Sequence, residues 1–505
     1  MNCYSFERLE FSPEPLHTRV ELPPLEKMLI WLAYFGFTWA SLWLAFSRRG
    51  WSKRYLLVAL VLAQFLLKLV DRYFLPSYPS RAGDENIWIV FMQDYEKTGV
   101  VPYESLAQGP GIFYATALTG NFVSADFTSA LVILAVALGS LYVLTAFLMY
   151  EKLSGGKKEV ALGSVILVSM SDVMIYSTTV ARPTLFGLFL IPLAVAALQT
   201  LFARFRWLTF LGLLITSILI LVFHTPITYL VLLLVLTFTL LIYDRITKWK
   251  CTYALIVFSL YGVALSVMLP DLDRIWRTEL LGTYPLSAIP SSLGPNLWLL
   301  FPLLAIGILL LSWLFGRISP RVSPAIWHAI ESDRMSRDRA VNFCLTTLVA
   351  LAILCVVLGY PDYQIYIRSE GGDPATFELL HGWKLPFILL AVLGIRTYLR
   401  SKARKGKLPC NIAVPWLLSI VITVLFLAYY SPLKGYPFLW NLDERFAEFG
   451  YYPAFYFIAL ELYSLERRLP TRVFNWIILP LISLFAIPSI IVGTRDLDFT
   501  RSLER

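Results

Sequence analysis

Runs of about 20 apolar residues, separated by short polar clusters, recur from one end of the chain to the other, and each is long enough to cross a hydrocarbon layer as a helix. They predict helices near 28–47, 55–72, 128–149, 160–176, 184–203, 207–223, 226–243, 251–269, 297–316, 341–359, 385–400, 412–430, 447–465 and 473–492. One interruption is long: residues 81–120 are polar at their start and close with a Gly-Pro-Gly turn at Gly109–Gly111. Within it Ile87, Trp88, Val90, Phe91, Met92 and Tyr95 recur at roughly helical spacing, which predicts an amphipathic helix over 84–97 lying in the membrane interface. Gly99 and Pro102 are expected to end it.

Composition narrows this to one class. With 505 residues, 58% of them hydrophobic and 15% charged, the chain is too apolar for a soluble protein. The expected fold class is an all-α polytopic membrane protein of about 13–14 transmembrane helices. It forms a single domain over 1–505 with no separate soluble domain, and an external loop over 73–127. The five Cys residues show no short paired spacing, so neither a disulfide framework nor a Cys-based zinc site is expected. Residues 1–27 hold five Glu against two Arg before Lys27 and no basic stretch leading into an apolar core, so no cleaved signal peptide is expected.

Charge then orients the predicted spans. When the connections are assigned alternately to two sides, one side collects 26 Lys or Arg and 7 Asp or Glu, the other 15 and 26. The basic side is read as cytoplasmic. Both termini, including the 1–27 segment, and the 81–120 loop then face outward, in a multi-pass protein of the cell membrane. Only Lys27, Lys68 and Glu461 fall outside that count, at a helix edge or within spans.

The candidate chemistry lies on the outer side. Asp84 and Glu85 are adjacent carboxylates at the expected start of the interfacial helix; their plain structural reading is an N-cap and a first-turn acid favoured by the helix dipole. The order Gly83-Asp84-Glu85-x-Ile87, a short helix, Lys97-Thr98-Gly99-x-x-Pro102 and Gln108-Gly109-Pro110-Gly111 resembles the first large external loop of GT-C glycosyltransferases, multispan enzymes that use polyprenyl-phosphate-linked sugars. The similarity is nearest to the set holding protein O-mannosyltransferases, aminoarabinose transferases and the catalytic subunit of oligosaccharyltransferase. It spans about forty residues, and it names neither sugar nor acceptor.

The resemblance implies roles for further residues. Asp172, before Thr178–Pro183, matches a second external loop in which an acid and an Arg-Pro pair recur, and Arg182 of that pair would bind phosphate. Asp172 read on its own is a turn or cap residue. Lys434 and Arg445, in the last large external segment, would engage the lipid phosphate; otherwise they pair with Asp443, Glu444 and Glu448, or snorkel to headgroups. His224, at a hinge before Pro226, is a sugar or phosphate contact or a structural histidine, and Tyr103 and Gln108 are the remaining substrate-binding candidates.

Transfer from such a donor needs a base, positive charge for the departing phosphate and an apolar slot for the prenyl chain. Asp84 is the expected base, with Asp172 beside it and Glu85 sharing the task; Asp84 and Glu85 are also the candidate ligands for a divalent cation, Mg2+ or Mn2+. Direct displacement would invert the anomeric centre. The expected partners are a lipid-linked sugar donor, membrane lipids and an acceptor that is a protein, glycan or lipid, with no nucleic acid. A transporter or flippase for a lipid-linked solute is the alternative function, as is a non-catalytic polyprenyl-lipid-binding protein.

Overall fold

The computed structural model describes residues 23–47, 53–73, 79–101, 110–223, 384–403, 411–421 and 440–493, with isolated positions between 231 and 310. The described elements are all helical. They are α1 (Pro24–Phe46), α2 (Lys53–Tyr73), α3 (Pro79–Thr98), α4 (Gly111–Val123), α5 (Phe127–Leu153), α6 (Lys158–Ser169), α7 (Asp172–Thr179), α8 (Thr184–Ala203), α9 (Trp207–Phe223), α10 (Lys384–Ala403), α11 (Trp440–Arg468) and α12 (Thr471–Ile490). Among the described residues four helices, α1, α5, α8 and α12, are long and apolar enough to cross a membrane, and α6 with α7 makes a fifth if the bent pair counts as one span. The protein is therefore an all-α polytopic membrane protein. The expected spans at 251–269 and 341–359, most of 226–243 and 297–316, and the second half of 412–430 lie outside the described residues.

The helix ends follow from local chemistry. Asp126 caps α5, its carboxylate accepting from the Ser129 amide at 2.7 Å and from the Ser129 hydroxyl at 2.8 Å. Those bonds, the backbone one first, hold its carboxyl below the usual aspartate range. At the end of α3, Gly99 takes a positive φ of 68° while its amide donates to Tyr95 O at 2.8 Å, the stop that the sequence indicates.

Helix α5 is the hub, packing against α2, α4, α6 and α8, while α11 packs on α6 and α10. In lipid there is little hydrophobic drive between apolar helices, so close packing and interhelical hydrogen bonds carry the association. Gly394 of α10 lies so near the Phe457 backbone of α11 that a Cβ there would collide with its carbonyl. Buried tyrosines send their hydroxyls to backbone carbonyls: Tyr150 of α5 to Tyr452 O at 2.9 Å, and Tyr452 of α11 to Leu188 O of α8 at 2.8 Å. The second bond answers a specific need. Leu188 O would ordinarily accept from residue 192, but Pro192 has no N–H to give.

Several expectations change. The helix expected over 84–97 starts at Pro79, because proline suits the first turn and the following residues extend the helix. Asp84 and Glu85 therefore lie inside α3, which has no acid in its first turn, and the N-cap reading falls. Residues 111–123, expected as loop, form α4. Helix α11 begins at Trp440 and not near 447, so Arg445 sits within a helix rather than ahead of one. The span expected over 160–176 is bent by 69° between α6 and α7.

Candidate functional site

The bend between α6 and α7 falls at Ser169-Met170-Ser171-Asp172, in a stretch with no proline. What makes it tolerable among apolar helices is a substitute donor for the Ser169 carbonyl, with serine hydroxyls bonding back onto carbonyls of α6. The Ser171 hydroxyl donates to Val168 O at 2.8 Å, the Ser169 hydroxyl donates to Val165 O at 2.6 Å, and Gln64 Nε2 of α2 donates to Ser169 O at 3.0 Å. Asp172 is the first residue of α7 and is only 2% exposed. Its place in the first turn suits the helix dipole. The cap itself is Ser171, so the expected cap role for Asp172 is replaced by a first-turn position.

Seven residues on, at about 1.5 Å of rise each, α7 ends at Thr179 and the chain turns through Val180–Pro183 into α8. Arg182 lies in that turn, 7% exposed, and folds back onto α7. Its Nη2 faces Ser177 Oγ at 3.4 Å and its guanidinium carbon stands 5.3 Å from the centre of the Tyr176 ring. The turn is fixed by Arg182 itself: its amide donates to Val180 O at 3.0 Å, and its carbonyl accepts from Leu185 at 3.1 Å. A buried acid thus opens α7 and a buried guanidinium closes it. Ionisable groups inside a membrane bundle mark functional sites by default, since each is costly to hold there.

Helix α3, which carries Asp84 and Glu85, reaches the same hub. Trp88 and Tyr95 pack on Phe113 of α4, with ring centres 5.9 and 5.4 Å away, and Tyr95 packs on Phe127 of α5 at 5.8 Å. Both α3 and α7 lie against α5. The first acidic pair and Asp172 are therefore carried by two elements that share one supporting helix.

No family model matches the chain, and no curated protein matches it. Among solved structures, the chain is similar to the oligosaccharyltransferase of Archaeoglobus fulgidus, crystallised with an acceptor peptide containing the NVT sequon tethered through a disulfide bond. The similarity covers 89% of this chain at a TM-score of 0.51 and 14% identity. The chain spans 56% of that enzyme's length. At this identity the likeness is one of fold.

Of the sequence-predicted site residues, then, the structure puts Asp172 and Arg182 on one short buried helix and its exit turn. Asp84, Glu85 and Arg445 are located on helices, with their side chains outside the described set; Tyr103, Gln108, His224 and Lys434 lie outside the described residues altogether. Among the described residues no three His, Cys, Asp or Glu side chains gather as a metal centre would need. Sequence reasoning passed over Gln64 and gave Lys68 no role; both are fully buried. Their signal was available, because two polar residues four apart in an apolar run share a helix face.

Proposed function

We propose that this protein is a membrane glycosyltransferase that moves a sugar from a polyprenyl-phosphate-linked donor to an acceptor on the external face, with inversion. The observation that carries the reading is the α6–α7 break and the short helix it opens, with Asp172 buried at its start and Arg182 buried in its exit turn, in a bundle whose fold resembles an oligosaccharyltransferase. A phosphate leaving group gathers charge as its bond to the sugar breaks, and a preorganised guanidinium stabilises that charge more in the transition state than before it. Arg182 fills this role, helped by Lys434 and Arg445. Asp84 takes the acceptor proton, with Glu85 and Asp172 completing an acidic wall. Tyr103, Gln108 and His224 contact the sugar and its phosphate. A divalent cation held by Asp84 and Glu85 would supply further charge at the phosphate; the steps assigned to the side chains do not depend on it. The acceptor peptide of the archaeal neighbour supports a polypeptide acceptor here.

A transporter is the second reading, because a broken helix carrying buried charge is also how transporters build substrate sites. Purified protein in lipid nanodiscs, incubated with radiolabelled polyprenyl-phosphate sugars and membrane extract as acceptor source, separates the two. The transferase reading expects label to leave the prenyl lipid, with the rate falling about 100-fold or more in Asp84→Asn, within the range for a lost general base. In proteoliposomes of the same protein, label that crosses the membrane while still attached to the lipid would support the transporter instead.

A further inference from the structure

In an unbroken helix the carbonyl of Ser169 would accept from the amide of residue 173; the bend removes that donor three residues before Asp172, at a position with no solvent exposure. Gln64 Nε2 replaces it at 3.0 Å. A primary amide presents either a donor or an acceptor end, so something must choose which end faces Ser169. Lys68 does this. One turn along α2, its Nζ can only donate, and it donates to Gln64 Oε1 at 2.9 Å, which leaves Nε2 for the carbonyl.

The lysine is itself held from two other sides. Its Nζ stands 5.8 Å from the centre of the Tyr142 ring on α5. Its stem fills the space beside Gly139: a Cβ there would come within 2.6 Å of Lys68 Cε and would collide with the carbonyl of Thr178 in the last turn of α7. One buried side chain therefore touches α5, sits against the end of α7 and, through Gln64, governs its beginning.

We propose that Lys68 and Gln64 are positioning residues for Asp172, locking the α6–α7 bend so that α7 meets α5 at one angle. This rests on α7 being part of the transfer site. The test compares wild type with Gln64→Glu, whose ionised carboxylate still accepts from Lys68 but has no proton for Ser169 O, and with Lys68→Met, which leaves the amide unoriented.

Hydrogen exchange followed by mass spectrometry in nanodiscs is expected to show amides of residues 170–177 exchanging at least tenfold faster in both variants. In the transfer assay, kcat per folded molecule falls at least tenfold while KM for the radiolabelled donor stays within twofold. A purely structural role would lower the melting temperature and leave kcat per folded molecule unchanged, and that result overturns the positioning role. Unchanged exchange in both variants overturns the clamp even where transfer is observed. Faster exchange in a protein whose wild type transfers no sugar upholds the clamp and removes the transfer reading.

Discussion

Two neighbouring segments of the bundle face the same problem and solve it differently. Helix α8 holds Pro192 in its interior, yet it runs without a break for 20 residues. The stretch from Lys158 to Thr179 has no proline and bends by 69°. In each, one backbone carbonyl loses its helical donor and a side chain from another helix replaces it: Tyr452 for Leu188 in α8, Gln64 for Ser169 at the bend. The difference lies in what surrounds the substitute. The tyrosine patches a defect within an apolar helix that carries no ionisable residue. The glutamine belongs to a buried polar set with Lys68, Ser169 and Ser171, next to Asp172. Proline alone does not make an irregular helix, and an irregular helix with buried charge beside it has a reason beyond packing.

Breaking the reactive side of this comparison should have the largest effect. Arg182→Met removes the charge at the exit of α7, and transfer should fall about 100-fold, the size expected for losing one preorganised group on a developing anion; full activity by radiolabel release would take Arg182 out of the mechanism. Next, Gly139→Ala forces a methyl against Lys68 and Thr178 and should cost about 2 kcal/mol by overpacking. Thermal unfolding in nanodiscs measures that. Gly36→Ala serves as its control, since nothing lies within 4 Å of a Cβ there.

On the α8 side, Tyr452→Phe leaves the Leu188 carbonyl without its replacement donor and should cost about 1.5 kcal/mol. Its transfer rate per folded molecule should match wild type, and a matching loss of rate would erase the distinction between the two segments. The smallest effect belongs to the cap of α5, where Asp126→Ala should cost about 1 kcal/mol. Because the folded carboxyl is depressed, its contribution is complete above the unfolded value of about 4 and is lost as pH falls through the folded one. The stability gap between wild type and variant should therefore close on acidification below about pH 4.

Hydropathy made much of this fold readable. The expected bounds of 184–203 and 207–223 coincide with α8 and α9, and 128–149 falls within α5, because a continuous apolar run has one low-cost arrangement in lipid. Helix α4 escaped notice because Gly111–Val123 follows a Gly-Pro-Gly turn within what reads as a polar loop. The bend escaped for a related reason. Two serines and an aspartate barely lower the average hydropathy of a 20-residue window, and nothing local announces that Gln64, 105 positions earlier, supplies the missing donor. Asp172 and Arg182 were legible as chemistry through the acid and Arg-Pro order. Their placement at the start of one buried eight-residue helix and in its exit turn was not, because that depends on where α7 stops.

The account turns on Asp172, and the most direct measurement compares wild type with Asp172→Asn in release of radiolabelled sugar from its polyprenyl phosphate, with size-exclusion elution as the check on folding. The amide keeps the shape and removes the charge. Release should fall at least about 100-fold at unchanged elution. A rate equal to wild type, from equally well-folded protein, would contradict the assignment of the α6–α7 break as the reacting centre.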